Sequence, residues 1–382
     1  MKKSISILVV ALTLLSFLAT ACAGAVASKL PAAITLGAVH DLTGATANYG
    51  TSIQKGINLA VKQMNDQKFL GNGHVINVIY EDAAGDPAKA VTAYQTLIAN
   101  KSVVAILGPT LSTEALQADP VAQQAGMPVV ASSNTINGIV EIGNYIFRTS
   151  LPESAVIPNT VKVTAQAFAL KKVALMYGKG DAYTEGGYQI FKTALADAGI
   201  PILTEETFTK GDTDFSTQLN KIKALNPDAI FVSAYAAEAA GIMLQARALG
   251  IPATVHIIGG NGFNSPALVQ VAGQSAEGAI SGSAWNVAST YPASVAFVKA
   301  YTAEYNSAPD QFAAQAFVAA WVTGMAIKAA NSTDHAAVRD ALAQIKNVDS
   351  PLGNFSFDAN RNPVHQSVVL IVKDGQFGVF QP

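Results

Sequence analysis

The feature of this sequence that most constrains its fold is an alternation of short apolar runs with amphipathic helical stretches, beginning near residue 33. The segment VVAILGPTLSTEALQADPVAQQAGMPVVASSNT, Val103–Thr135, shows the pattern most compactly. Its apolar runs Val103–Leu107 and Pro128–Ala131 flank a predicted helix over Ser112–Ala125. A strand–helix–strand unit of this kind places its two strands in parallel. Open α/β sheets bind ligands at the C-terminal edge of such strands.

Serine and threonine follow each of the two apolar runs. Ser112 or Thr113 is placed to cap the predicted helix, with Glu114 in its first turn. Hydroxyl groups and free N–H groups at a helix N-terminus suit a carboxylate or a phosphate. Any one of these side chains is more often a cap or a turn residue. Two such corners in succession favour a ligand site.

The order of the elements predicts an α/β protein with two lobes, each a mainly parallel sheet flanked by helices. Two parallel α/β series are followed by a helical block and a short β tail. We expect the helical block to return to the first lobe and the tail to the second, which requires three crossovers between lobes. Lobe 1 is then 33–150 plus 282–348, and lobe 2 is 151–281 plus 349–382. A cleft between lobes joined in this way suits hinge closure on a small ligand.

The N-terminus has the pattern of an export signal. Residues 1–21 combine Lys2 and Lys3 with the apolar run Ile5–Leu18, which is shorter than a comfortable membrane span. Cys22, the only cysteine, ends a Leu-Ala-Thr-Ala-Cys sequence that resembles a bacterial lipobox, although ordinary cleavage after a nearby alanine is an alternative. We expect a lipidated Cys22 and a tether over 22–32, with the protein facing the periplasm or the extracellular side.

Composition and motifs argue against several classes of function. A net charge of −2 without a basic cluster does not suit nucleic-acid binding. The five histidines have no metal-ligand spacing, and no nucleophile elbow or dinucleotide fingerprint is present. We therefore expect no metal, no cofactor and no catalytic residue. An enzyme on an α/β scaffold stays an alternative that recovery of an unchanged bound ligand would exclude.

Three tyrosines stand at comparable positions just after predicted strands. Tyr49, Tyr183 and Tyr235 each lie beside glycine or acidic residues and outside an apolar run. A single tyrosine in such a place is usually a half-buried packing residue. Three of them could line a cleft, since their rings contact apolar groups and their hydroxyls contact polar ones.

From Ala33 to Phe380 the chain resembles the solute-binding proteins of branched-chain-amino-acid (Leu/Ile/Val) ABC transporters, which have the type I periplasmic-binding-protein fold. The resemblance depends on short matches that occur in the family's order and spacing. They include Leu42-Thr43-Gly44, Tyr49-Gly50, Asp86-Pro87, Gly108-Pro109, Ser112-Thr113, Pro128-Val129, Ser133-Asn134-Thr135, Asp181, Tyr183, Gly186, Asp214-Phe215-Ser216, Gln245-Ala246-Arg247, Gly250 and Ala276-Glu277-Gly278.

The resemblance implies a binding site divided between the lobes. In that family a serine and a threonine hold the ligand's α-carboxylate, and their positions match Ser112 and Thr135. A backbone carbonyl that helps to hold the ammonium matches Ser133. The predicted ligand-binding set is completed by Tyr49, Leu111, Thr113, Tyr183, Tyr235, Asn261 and Phe312.

Asn261 departs from the family pattern. Relatives that bind amino acids commonly have Glu or Asp there, and an ammonium buried without a counter-charge costs several kcal/mol. Either the ligand lacks an α-ammonium, or another acid such as Glu238 reaches it. We therefore expect an amide or a small carboxylate, including aromatic acids, ahead of leucine, isoleucine or valine.

The predicted function is that of a monomeric extracytoplasmic solute-binding lipoprotein. It would capture a small carboxylate-bearing ligand by hinge closure and deliver it to an ABC permease. A ligand sensor of the same fold, reporting to a receptor or regulator, is the alternative.

Overall fold

The computed structural model describes residues 29–382, so the predicted signal peptide and Cys22 lie outside the described part. The strands are β1 (Ala33–His40), β2 (Val75–Asp82), β3 (Val103–Leu107), β4 (Val129–Ala131), β5 (Ile146–Arg148), β6 (Val173–Lys179), β7 (Ile202–Thr209), β8 (Ala229–Ser233), β9 (His256–Gly259), β10 (Ile280–Ser283), β11 (Val348–Ser350), β12 (Gly353–Phe355), β13 (Val368–Lys373) and β14 (Gln376–Val379).

The helices are α1 (Ala47–Asp66), α2 (Pro87–Ala99), α3 (Ser112–Ala125), α4 (Glu153–Ala167), α5 (Ala182–Asp197), α6 (Ser216–Leu225), α7 (Ala236–Ala248), α8 (Pro266–Ala272), α9 (Pro292–Tyr305), α10 (Gln311–Ala330) and α11 (His335–Ala343). Short 3₁₀ helices span Val140–Ile142, Asn261–Phe263 and Gly273–Ala276.

Two larger sheets give the protein its two lobes. The first has the order β2-β1-β3-β4-β5 and is parallel throughout. The second has the order β14-β13-β10-β9-β8-β6-β7, in which only the tail strands β13 and β14 pair antiparallel. The predicted α/β class with mainly parallel sheets is therefore confirmed, and the tail strands β13 and β14 lie in the second sheet.

The late helices pack on the first lobe. α10 packs along α1, and a Cβ at Gly56 would come 2.2 Å from the carbonyl oxygen of Ala313, so only glycine allows this approach. Of the helices within 29–382, α10 alone has the length and apolar composition of a membrane span, yet 78% of its apolar window is buried. It is the core helix that its sequence predicts.

The tail leaves the first lobe later than its sequence predicts. The ring of Phe357 packs 5.3 Å from that of Phe147 in β5, and Arg361 Nε donates to the carbonyl oxygen of Ile146 at 3.1 Å. Only from Val368 does the chain join the second sheet. We therefore place the third crossover between Arg361 and Val368, after the predicted position at 348–352, because aromatic packing holds this stretch against β5.

Local chemistry explains where the helices near the cleft begin. The Asp86 carboxylate accepts the N–H groups of Ala88 and Lys89 ahead of Pro87, and the Asp181 carboxylate accepts that of Thr184. Both are side-chain caps that satisfy otherwise unpaired donors. These caps place the N-termini of α2 and α5 at the C-terminal edges of the two sheets.

Candidate ligand-binding cleft

The first wall of the cleft is formed where β3 and β4 end. The predicted bounds of β3 and α3 are confirmed, but neither Ser112 nor Thr113 caps α3. Leu111 occupies the cap position in an extended conformation, and the Glu114 carboxylate accepts its N–H at 2.9 Å. The prediction of a hydroxyl cap was wrong, because Leu111 holds the cap position and Glu114 accepts its N–H from within the first turn.

Ser112 therefore makes a contact outside its own helix. Its buried hydroxyl accepts the N–H of Thr135 at 3.2 Å, which joins the loop after β4 to the start of α3. The Thr135 hydroxyl, on a residue only 3% exposed, has no hydrogen-bond partner in the structure. The first N–H groups of α3 also lack acceptors within the helix. This wall presents several donors to whatever occupies the cleft.

Buried hydrogen bonds hold the loop that carries Thr135. Ser133 Oγ donates to the carbonyl oxygen of Thr110 at 2.6 Å, and Asn134 Nδ2 donates to the same oxygen at 3.1 Å. From the other side, Ser150 Oγ donates to the Asn134 carbonyl oxygen at 2.6 Å. The position of the Thr135 hydroxyl is thus fixed by its neighbours before any ligand arrives.

The second wall comes from the loops after β6, β8 and β9. The Tyr183 hydroxyl accepts the N–H of Gly262 at 2.8 Å, and the Tyr235 hydroxyl donates to the Asp181 carboxylate at 3.1 Å. A Cβ at Gly262 would lie 2.6 Å from the Ala234 carbonyl oxygen, so glycine is needed for this close packing. Burial raises the pKa of both tyrosines well above the ordinary value, which keeps them neutral.

Tyr49 connects the two walls. Its hydroxyl donates to the Gly262 carbonyl oxygen at 2.8 Å and accepts the N–H of Ala236 at 2.7 Å. Its ring packs edge-on against Phe312, with 4.7 Å between centroids. Because Tyr49 belongs to the first lobe and its hydrogen-bond partners Gly262 and Ala236 belong to the second, the structure has the lobes closed on each other.

Thr113 also connects the lobes. Its hydroxyl donates to Asp181 Oδ2 at 3.0 Å and accepts the N–H of Ala182 at 3.1 Å. The Thr113 hydroxyl therefore uses both its donor and its acceptor at the interface between the lobes, beside the cleft. The sequence cannot distinguish it from Ser112, because both hydroxyls follow the same strand and stand next to each other.

A cavity of about 330 Å³, counting its opening to solvent, lies between the walls. It is lined by nine of the ten residues predicted to bind ligand, all except Thr113, together with Thr110 and Gly262. The lining contains four aromatic rings, several hydroxyls and the amide of Asn261, but no acidic side chain. Its polar groups lie mainly on the first wall and its rings around the remainder.

Asn261 lines the cavity, yet its amide is already hydrogen-bonded at both ends. Nδ2 donates to the Leu151 carbonyl oxygen at 3.3 Å, and Oδ1 accepts from Gln311 Nε2 at 3.4 Å. Its side chain thus connects the second-lobe loop to the first crossover and to α10. The backbone N–H of Asn261 makes a different contact, donating at 3.0 Å to Glu153 Oε1.

Glu153 is a residue that sequence reasoning missed. It is the first residue of α4 and 1% exposed, and its N–H donates to the Thr135 carbonyl oxygen at 2.8 Å. Its Oε2 has no partner. Burial raises the pKa of this carboxyl to about 7, despite opposing hydrogen bonds from Asn261 and Tyr183. An acid after proline at a helix start is typical of an ordinary first-turn residue, so the sequence does not predict that Glu153 is buried near the cleft.

Glu238, the acid named from the sequence as a substitute counter-charge, is placed elsewhere. Its Oε1 accepts the N–H of Gly211 at 2.9 Å, and it does not line the cavity. Within residues 29–382, no group of three or more His, Cys, Asp or Glu residues is arranged to hold a metal ion. The chemistry available in the cleft is recognition by hydrogen bonds, rings and charge.

Comparison with known proteins agrees with this geometry. The family model described as "Periplasmic binding protein" matches residues 33–376, nearly the whole described chain. The chain belongs to the periplasmic binding protein family. This family consists of solute-binding proteins and not of enzymes, so the prediction of a non-enzyme is confirmed.

Similar members of the periplasmic binding protein family come from several bacteria. Leu/Ile/Val-binding protein homolog 3 of Brucella melitensis is 28% identical over 91% of this chain and 93% of its own. The leucine-, isoleucine-, valine-, threonine- and alanine-binding protein of Pseudomonas aeruginosa is 27% identical over 90% of each chain. These relatives confirm the resemblance to the branched-chain-amino-acid group.

Solved structures of the family superpose over nearly the whole chain. The branched-chain amino acid transporter substrate-binding protein LivJ of Streptococcus pneumoniae, in complex with isoleucine, is 31% identical with a TM-score of 0.84, covering 92% of this chain and 100% of its own. A Rhodopseudomonas palustris solute-binding protein in complex with 3,4-dihydroxybenzoic acid is 26% identical with a TM-score of 0.83, covering 91% and 95%.

Proposed function

We propose that this protein captures a small carboxylate-bearing solute outside the cytoplasm and delivers it to an ABC importer. The observation that carries the proposal is the buried, unpartnered hydroxyl of Thr135 beside Ser112 and the start of α3. These donors face a cavity whose lining contains no acid. A carboxylate satisfies several such donors at once, and a helix N-terminus favours negative charge.

The remainder of the cavity suits the non-polar part of such a solute. Rings of Tyr49, Tyr183, Tyr235 and Phe312 line it, and aromatic faces pack well against aliphatic or aromatic groups. The cavity is narrow and enclosed by these rings, which suits a compact solute such as an amino acid or a single-ring acid. The ligands of the Streptococcus and Rhodopseudomonas structures, isoleucine and 3,4-dihydroxybenzoic acid, are both of this kind.

Lobe closure is the proposed mechanism. Tyr49 and Thr113 make hydrogen bonds from the first lobe to the second, and these bonds exist only when the lobes are together. A ligand that contacts both walls stabilises that closed arrangement by binding it better than an open one. The permease would then distinguish the closed, loaded protein from the open, empty one.

The experiment that tests the proposal replaces the two hydroxyls of the first wall. Ser112→Ala with Thr135→Ala should weaken binding of a carboxylate ligand by at least about 100-fold, since charged hydrogen bonds contribute roughly 1.5–3 kcal/mol each. Titration calorimetry measures the affinity. Thr135→Ala alone should change stability little, because its hydroxyl has no partner to lose, whereas Ser112→Ala also removes the acceptor of the Thr135 N–H and should cost about 1–3 kcal/mol of unfolding free energy.

A matched control removes the same two kinds of hydroxyl away from the cleft. Ser102 Oγ bonds only to Asn100, and Thr92 Oγ1 only to Ala88 in its own helix. Ser102→Ala with Thr92→Ala should leave affinity unchanged. Undiminished affinity in the Ser112 and Thr135 variant would refute the carboxylate assignment.

We further propose that the mature protein is anchored by a lipid on Cys22. The residue lies outside the described part, and the proposal depends on its position at the end of the apolar leader. Cys22→Ser should move the protein from the membrane fraction to the soluble extracytoplasmic fraction, measured by immunoblot. Continued retention in the membrane fraction would contradict the anchor.

A further inference from the structure

We propose that Glu114 and Asp41 share a buried proton behind the first wall, and that this proton keeps the start of α3 able to bind a ligand carboxylate. The inference deepens the proposed carboxylate-binding function and rests on it. Neither residue lines the cavity, so both act through the wall in front of them, as positioning residues.

The two carboxyl groups are held next to each other behind consecutive residues of the wall. Asp41 donates its backbone N–H to Thr110 Oγ1 at 3.0 Å, and Glu114 Oε2 accepts the N–H of Leu111 at 2.9 Å. Thr110 and Leu111 both line the cavity. Asp41 and Glu114 are fully buried, and they are close enough for a hydrogen bond between their carboxyl groups.

The hydrogen-bond partners indicate which of the two groups carries the proton. Asp41 accepts two donors, the Thr46 hydroxyl at 2.6 Å on Oδ2 and the Gly85 N–H at 2.8 Å on Oδ1. Glu114 Oε1 is buried and receives no donor from residues 29–382. Two adjacent buried carboxyl groups do not both ionise, because like charges so close repel each other. The proton therefore belongs on Glu114, which donates it to Asp41.

The charges around the pair balance only while this proton is kept. Lys210, from the loop after β7 in the second lobe, is the cation that acts on Glu114. A Cβ at Gly85 would lie 3.3 Å from Lys210 Nζ and 3.7 Å from Asp41 Oδ2, so lysine and aspartate approach the same point. A single lysine offsets a single carboxylate. A second carboxylate, on Glu114, would be left without a counter-charge.

The other titratable groups next to the pair do not change this balance. Burial raises the pKa of Tyr94, on α2, well above its ordinary value and lowers that of His40, at the end of β1, to about 3. Both are therefore neutral at pH 7. Asp181, at the start of α5, is bonded to Thr113 and Tyr235 and adds no positive charge.

The proton keeps negative charge away from the donors that face the ligand. Burial raises the pKa of the Glu114 carboxyl to about 9, and the charge of Asp41 acts in the same direction. The Leu111 N–H and Lys210 oppose this shift only in part. At neutral pH the first turn of α3 thus offers its free N–H groups and the Ser112 hydroxyl without a carboxylate behind them. Ionised Glu114 would repel a ligand carboxylate bound there.

Binding of the ligand and binding of the proton should therefore favour each other. A ligand carboxylate raises the pKa of Glu114 further, since like charges disfavour ionisation. A coupling of about tenfold gives an uptake of ~0.4 proton on binding at pH 9 and less than ~0.1 at pH 7.5. By the same linkage, affinity is retained below pH 9 and falls about fivefold between pH 7.5 and 10.

The experiment uses the full-length mature protein and carboxylates with and without an amine. Isoleucine, valine, 3-methylpentanoate and benzoate are first screened by thermal shift. The tightest-binding acid is then titrated calorimetrically at pH 7.5, 9 and 10 in buffers of different ionisation enthalpy, which counts the protons taken up. We expect the fivefold weakening at pH 10 and the uptake of ~0.4 proton at pH 9 in excess of what a Glu114→Gln variant shows.

Glu114→Gln is an uncharged copy of the protonated side chain, because its amide can donate to Asp41 and accept the Leu111 N–H. Glu114→Ala should weaken binding at every pH, since it leaves that N–H unpaired. Glu114→Gln should restore the affinity at pH 7.5 but lack the dependence on pH that comes from Glu114. An ammonium on the ligand titrates equally with both proteins, so the difference between wild type and Glu114→Gln isolates Glu114.

The matched control is Glu238→Gln. Glu238 is also the third residue of a helix, α7, and is also buried with one unpartnered carboxyl oxygen, but it lies outside the cavity lining. Glu238→Gln should keep the wild-type proton uptake and the wild-type dependence of affinity on pH. Circular dichroism checks that each variant is folded.

The outcomes separate the inference from the function on which it rests. If Glu114→Gln keeps the full weakening at pH 10, or if Glu238→Gln alone loses it, the proton is not on Glu114 and the inference is overturned. Should the variants not fold, binding of the acid to the wild-type protein without proton uptake at pH 9 overturns it equally. If no carboxylate binds at any of the three pH values while uncharged solutes do, the proposed carboxylate function itself fails.

Discussion

The two walls of the cleft differ in how they are built. The first wall uses backbone N–H groups and the hydroxyls of Ser112 and Thr135. These two residues are only 23 apart in the chain, and the Thr135 N–H donates to the Ser112 hydroxyl. The second wall gathers Tyr183, Tyr235 and Asn261 from three separate loops or helix starts. A wall made of backbone needs few particular side chains, whereas the second wall can change its ligand through single substitutions.

This difference assigns the walls different tasks. The first wall offers donors that any carboxylate can satisfy, so it fixes the acid end of the ligand. The second wall contributes rings and an amide that is already hydrogen-bonded, so it decides what is attached to that end. Replacements in the first wall should weaken all acidic ligands alike, and replacements in the second should change their order.

The largest effect on affinity is expected from a substitution at Tyr49, where the two walls are hydrogen-bonded to each other. Tyr49→Phe leaves the Gly262 carbonyl and the Ala236 N–H unpaired in the closed state, because both bond to its hydroxyl. We expect affinity for every ligand to fall by roughly 2 kcal/mol, about 30-fold. The free energy of unfolding of the unliganded protein, from urea titration, should change less.

The control for Tyr49 is a tyrosine in the same lobe that does not reach the other one. The Tyr80 hydroxyl bonds to Asn58 within the first lobe, so Tyr80→Phe should leave affinity unchanged. If Tyr49→Phe changed the ranking of ligands and not only their strength, Tyr49 would belong to the selective second wall and the division would need revision.

A smaller effect should follow at the second bridge between the lobes. Thr113→Val removes the bond to Asp181, which still has Tyr235 and Thr184 as partners. We expect a loss of about 1 kcal/mol, roughly fivefold in affinity, with the ligand ranking preserved. Thr51→Val, which removes a hydroxyl bonded only within α1, is the matched control.

A loss of more than about 50-fold on Thr113→Val, or a change in ligand ranking, would show that the Thr113 hydroxyl contacts the ligand. Thr113 would then be a ligand-binding residue, as the sequence predicts. Calorimetric titration of the same ligand panel as for Tyr49 distinguishes the two results.

The first lobe was the more predictable part from sequence. The bounds of β3 and α3 follow from apolar runs and spacing, and both are confirmed at Val103–Leu107 and Ser112–Ala125. The pattern does not reveal which side chain bonds to the backbone at the start of α3, where the Glu114 carboxyl group accepts the Leu111 N–H. This error is informative, because a hydroxyl not used as a cap is available for other contacts.

The hydrogen bonds of the second lobe could not be predicted from the sequence pattern. Asn261 was found by resemblance, but no pattern shows that its amide bonds to Leu151 and Gln311. Glu153 was missed because its burial arises from packing between segments more than 100 residues apart in the chain, Asn261 among them. The short strands β11 and β14 were missed for a related reason: three or four residues carry too little periodicity.

The measurement that tests the central claim most directly is a calorimetric titration of the wild-type protein with its tightest-binding acid and with the primary amide of that acid. The amide keeps the rest of the molecule and removes only the negative charge. If the first wall holds a carboxylate, the acid should bind at least about 100-fold more tightly. Equal affinities would contradict the account, because the donors of Ser112, Thr135 and α3 would then have no anionic partner.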